Sequence, residues 1–107
     1  MSDQNYYDVE HIKPAHPGFL IENLLMKNYM LTKEDIAERM GTSPERMTGI
    51  LDGSERFTLD DAKNLKKHFG HAAINLMRIQ VSRDFFEQNG RRANDAEREK
   101  LFATCVL

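Results

Sequence analysis

The chain has 107 residues, 30% charged and 40% hydrophobic, with 6 glycines and 3 prolines. That mix excludes disordered and collagen-like chains and fits one globular domain with a modest core. The net charge is −2, and even the most basic stretch, 71–107, holds only six Lys/Arg against five Asp/Glu, which excludes nucleic-acid binding by bulk electrostatics.

Residues 1–15 are polar and lack a helical period, so they read as a flexible arm, with Tyr6 and Tyr7 either idle or marking a segment that orders on a partner. Pro14 and Pro17 bracket His16, and proline disfavours helical geometry in the residue before it, which places a helix start near Gly18. Leu20, Ile21, Leu24 and Leu25 then follow the spacing of one buried stripe. Thr32 with Asp35 forms a capping pair for a helix burying Ile36, Ala37 and Met40, and Gly41 stops it with a left-handed turn. Ser43 as N-cap and Pro44 at the first helical position restart the chain at once. That helix buries Met47, Ile50 and Leu51 and ends at Asp52-Gly53.

After Ser54-Glu55-Arg56, Phe57 is expected to plug the core. Thr58 caps a fourth helix with Ala62, Leu65 and Phe69 inward, closed by Gly70. A fifth helix is expected over 71–88, apolar on two faces: Ile74, Met77, Val81 and Phe85 on one, Leu76, Ile79 and Phe86 on the other. A surface helix needs one stripe only, so this helix is central or shared with a partner. Asn89-Gly90 breaks it, and Asn94 or Asp95 caps a short last helix ending in Leu101, Phe102, Cys105 and Val106. No strand-type alternation appears. The fold class is all-α.

The informative feature is helix, Gly41 turn, helix, with Ala37 small where the two helices approach. In a helix-turn-helix the second helix enters the DNA major groove while the first crosses the backbone. The groove tip would then be Thr42, Ser43, Pro44, Glu45, Arg46, Thr48 and Gly49. Arg46 can reach guanine bidentately, whereas Glu45 can only accept, which suits cytosine N4. Short helix pairs of this kind also occur in all-α proteins that never touch DNA.

HPG at 16–18, LT at 31–32 and DIAERMGTSPERMTGILDGSERFTLDDAKNLKKHFG at 35–70 together resemble the HigA/VapI antitoxins of the XRE, lambda-repressor-like group. The resemblance spans residues 16–85. It implies a five-helix lambda-repressor-like helix-turn-helix domain over 16–88, with 89–107 as a C-terminal helical extension. It further implies a cytoplasmic homodimer that binds a palindromic operator, neutralises a small mRNA-cleaving ribonuclease toxin and represses its own operon. Carried over residue by residue, the groove tip again falls on 42–46, Thr48 and Gly49, and the usual phosphate contact on Thr32 and Lys33. The chain departs from the pattern at Phe19, Met30, Gly49 and Ala73-Ile74-Asn75.

Other features read more plainly. Cys105 alone cannot form an internal disulfide, which agrees with a cytoplasmic setting, and it reads as a small buried hydrophobe. The opening MSDQNYYDVEHIKP has no signal-peptide core, and no run approaches the roughly 18 apolar residues of a membrane span. His68 and His71 read as helix-end residues, since structural zinc needs four ligands, and His16 as part of the helix-opening motif. Asp60-Asp61 favour the positive end of their helix. No enzyme constellation, metal set or cofactor loop is present. Ile74, Met77, Val81 and Phe85 are the candidate dimer interface. Two further readings are a stand-alone XRE repressor, and an interaction module on this scaffold that has lost DNA binding.

Overall fold

His16 ends an extended run and Pro17 opens the first helix in the computed structural model, which describes residues 11–105. Tyr6, Tyr7 and Val106 lie outside the described residues. Six helices follow, with no strand among the described residues. Helix α1 is one rod in three parts, Pro17–Leu20, a π-helical segment Ile21–Met26, and Lys27–Tyr29. Then come α2 (Lys33–Met40), α3 (Pro44–Asp52), α4 (Leu59–Phe69), α5 (Ala72–Asn89) and α6 (Asp95–Ala103). No helix among them is long and apolar enough to cross a membrane.

The caps expected from sequence are formed. Thr32 and Asp35 exchange side chain and backbone in a capping box, as do Thr58 with Asp61 and Asn94 with Glu97. Gly41 takes φ 69°, where a side chain would meet its own backbone, and the Thr42 N–H donates to the Ala37 carbonyl at 3.0 Å. Met30 ends α1 in the same left-handed region, φ 55°, without glycine's freedom.

Ile21, Ile36, Met40, Met47, Ile50, Phe57 and Leu65 are fully buried and form the centre of the core. Phe57 plugs it as expected, its N–H donating at 3.0 Å to the buried Gln80 amide oxygen of α5. The buried line of α5 is Ala73, Leu76, Met77 and Gln80. Met77 is thus 5% exposed inside its own chain, which corrects its assignment to an open interface stripe. Ile74, Val81 and Phe85 remain half-buried, Val81 against the core and Phe85 beneath the Arg91 guanidinium at 5.1 Å.

The α1 stripe also differs from expectation. Ile21 and Leu25 are buried and Leu20 packs beside them, but Leu24 is 51% exposed. A π-turn spreads successive side chains over more residues per turn than an α-turn, so the four apolar positions cannot share one face. Of the stretch expected as an arm, residues 12–14 are tied to the end of α5 and the loop after it. Arg83 donates to the Pro14 carbonyl at 2.7 Å, Arg92 to that of Ile12 at 2.7 Å, and Lys13 pairs with Glu87 at 3.0 Å.

Candidate nucleic-acid interface

The α2–α3 unit is built around Ala37, 1% exposed, and the fully buried Met47, with the Gly41 turn between the helices. Asn64 of α4 donates to the Met40 carbonyl at 2.8 Å and closes the end of α2. Opposite this core, α3 turns Pro44, Glu45 and Thr48 outward, with Ser43 exposed at its tip. Ser43 caps the helix by accepting from the Arg46 N–H at 3.1 Å.

Thr32 and Lys33, expected as phosphate contacts, stand beside this face. The Lys33 ammonium donates to Thr48 Oγ1 at 2.9 Å, and that hydroxyl donates in turn to the Pro44 carbonyl at 3.1 Å. The start of α2 and the middle of α3 therefore present one joined polar surface. Thr32 itself is exposed and engaged in its cap.

Arg46, expected as the base reader, is turned inward. Its guanidinium donates bidentately to Asp61 at 2.9 and 2.8 Å, and also to Thr42 Oγ1 and the Arg56 carbonyl. Glu55 stands 3.6 Å from its Nε. Asp61 is 4% exposed. Burial pushes its carboxyl pKa up, but hydrogen bonds from Arg46 and Thr58 outweigh that and hold it below the usual carboxylate value. The hydrogen bond to Asp61 likewise raises the Arg46 pKa. Each charge-assisted bond contributes about 1.5–3 kcal/mol when buried, and swinging Arg46 out would leave Asp61 unpaired. A bidentate guanine contact returns only about 1–3 kcal/mol. The inward position wins.

Gly49 is half-buried because the loop after α3 lies on it. The Glu55 N–H donates to the Gly49 carbonyl at 3.0 Å, and a Cβ on Gly49 would stand 2.6 Å from Glu55 Cγ. No side chain fits there without moving Glu55, so the glycine at this position has a steric reason.

At its other end α3 is held by the His-Pro-Gly opening. Gly18 packs on the backbone of Ile50 and Leu51, and the His16 ring lies on Gly53, where a Cβ would stand 2.8 Å from Cδ2. His16 Nδ1 is buried without a hydrogen-bond partner. Its pKa is lowered by burial first and then by Arg83, with Asp52 opposing. Behind the loop, Gln80 donates to Asp84 at 2.9 Å and Asp84 accepts from Arg56 at 2.9 Å. Sequence reasoning placed Asp61 at a helix start and saw nothing in Glu55. The partner that they share, Arg46, lies in another helix, and no local pattern marks that pairing.

No family model matches the chain, and neither does any curated protein sequence. Two solved structures share the fold. A hypothetical protein of E. coli is 21% identical with a TM-score of 0.64, over 83% of this chain and 88% of that one. The proposed antidote protein of a plasmid maintenance system in Nostoc punctiforme is 21% identical with a TM-score of 0.65, over 90% of this chain and 99% of that one. This chain is an all-helical domain whose fold those two proteins share.

Proposed function

We propose that this chain is a non-enzymatic antitoxin of HigA/VapI type, a cytoplasmic homodimer that binds its operator DNA, neutralises a ribonuclease toxin and represses its own operon. The observation that carries the DNA part is the exposed outer face of α3 joined to the start of α2 through Lys33 and Thr48. The antitoxin part is supported by likeness of fold to the Nostoc antidote protein. A dimer would present two α3 helices to a palindrome and double a modest set of phosphate contacts.

The test is a shift assay on the palindrome upstream of the gene, against a scrambled duplex, at several salt concentrations. Tighter binding to the palindrome, weakening with salt, is the expected result. Equal and weak binding to both removes the repressor reading. Co-expression with the product of the adjacent gene separates an antitoxin from a stand-alone repressor, since only an antitoxin restores growth and co-purifies.

One observation favours a second reading, an interaction module without DNA binding. The cation at the groove tip is neutralised by Asp61, while Glu45 and Glu55 remain exposed. In that case Lys33→Ala changes no DNA affinity, because none exists.

A further inference from the structure

With Arg46 folded inward, the exposed first two turns of α3 keep one charged side chain, Glu45. An ionised carboxylate accepts hydrogen bonds and donates none. Thr48 has spent its hydroxyl proton on the Pro44 carbonyl and accepts from Lys33, so what it offers outward is also a lone pair. The Lys33 ammonium stands on Thr48 at the side of the face nearest α2, where a phosphate would lie. The tip of the face, at Glu45, is an acceptor surface.

In the major groove, cytosine presents an amine at N4 and adenine at N6, whereas guanine presents only acceptors, N7 and O6. We infer that this face selects bases carrying an exocyclic amine, cytosine foremost, with Glu45 as the accepting side chain, and that Arg46 is a positioning residue rather than a reader. The inference rests on the DNA-binding reading above. Arg46 acts through Asp61, holding the first turn of α3 against the start of α4 and fixing the angle at which Glu45 and Thr48 meet the groove. A carboxylate at the tip is repelled by every phosphate and by the acceptors of guanine, so it contributes by rejecting wrong sequences as well as by engaging the right one.

The experiment selects bound duplexes from a pool randomised over 20 base pairs, using the full chain and four variants, with each fold checked by thermal melting. Wild type is expected to enrich cytosine about tenfold at one position in each half-site. Glu45→Ala should flatten that position, and Glu45→Gln should move its preference to adenine, which an amide reads bidentately. Arg46→Ala and Asp61→Asn should lower affinity for every duplex by the same factor and leave the base profile unchanged. Should Arg46→Ala fail to fold, Asp61→Asn still decides. Freeing a reader would strengthen binding at a guanine position, whereas loosening a brace weakens binding everywhere. A guanine preference lost in Arg46→Ala, or a base profile indifferent to Glu45→Ala, overturns the inference while leaving DNA binding intact. A folded wild type that enriches no sequence overturns the DNA-binding reading and this inference together.

Discussion

Gly18 touches the backbone of Ile50 so closely that a Cβ would stand 1.9 Å from the Ile50 carbonyl oxygen and 2.6 Å from Leu51 Cα. The obstacle is helix backbone, which cannot rotate aside as a side chain can. Gly18→Ala must therefore push α1 away from α3, at a cost of about 3 kcal/mol, the upper end of usual overpacking. Urea unfolding should show an unfolding free energy lowered by that amount, read as a lower midpoint at an unchanged slope. A shift below about 0.5 kcal/mol would mean that α1 and α3 do not dock this way.

Met30 offers the opposite case. It sits at φ 55° and is 90% exposed, so its side chain contributes little packing while its backbone carries the strain of a left-handed residue. Met30→Gly should raise stability by about 0.5–1 kcal/mol, after allowing for the greater freedom of glycine in the unfolded chain. Thermal melting checks it, and a lowered midpoint contradicts it.

The pairing of Asp61 with Arg46 has a defined pH signature. The Asp61 pKa is lowered in the fold, so its contribution is complete above the unfolded carboxylate value and is lost as pH falls through the folded one. Arg46→Met should destabilise by about 2 kcal/mol at pH 7, a figure discounted for the part-exposed guanidinium. That difference should shrink below about pH 4, where Asp61 in wild type also takes up its proton. Glu97, held at about 2 by hydrogen bonds from Arg91 and the Asn94 backbone, titrates in the same acid range in both proteins and cancels from the comparison. A difference that stays constant with pH would sever the link to Asp61.

His16 gives a second signature, with the same sign at higher pH. Its pKa is lowered, so the fold favours the neutral ring, and stability is lost as pH falls below the ordinary histidine value. His16→Gln should remove this part of the pH dependence, seen as a flatter profile of melting temperature between about pH 7 and pH 5. An unchanged profile would place the effect elsewhere.

A dimer is expected to return about twice 12.4 kDa by light scattering at micromolar concentration. With Met77 committed to its own core, Ile74, Val81 and Phe85 are what the expected interface keeps at the flanks of α5. Ile74→Glu should then shift the mass toward one protomer without a large loss of helicity. A single-protomer mass for wild type, with and without DNA, rejects the dimer.

The caps, the Gly41 turn, the Ser43-Pro44 start and the Phe57 plug were legible because each depends on neighbours within a few residues. The π-segment of α1 was not. Apolar spacing alone fits an α-helix, and nothing in Ile21–Met26 announces a wider turn. Arg46 was assigned by the face it should occupy on an isolated helix. Its actual position is decided by Asp61, 15 residues on, and by the loop between them. The two apolar faces expected on α5 divide differently: the buried line takes Leu76 from one and Met77 from the other, and Gln80 completes it because the Phe57 N–H needs an acceptor in the core.

The π-segment also makes the chain tolerant of a change in length. Within Ile21–Met26 the backbone bonds reach five residues back, as from the Lys27 N–H to the Glu22 carbonyl, where an α-helix reaches four. Such a segment stores roughly one residue more than regular geometry requires. A relative lacking one residue there would close the turn into ordinary α-helix and still bring Gly18 to α3 at one end and Thr32 to α2 at the other. A chain of this fold one residue shorter between those two anchors is therefore expected to superpose on this one at both of them.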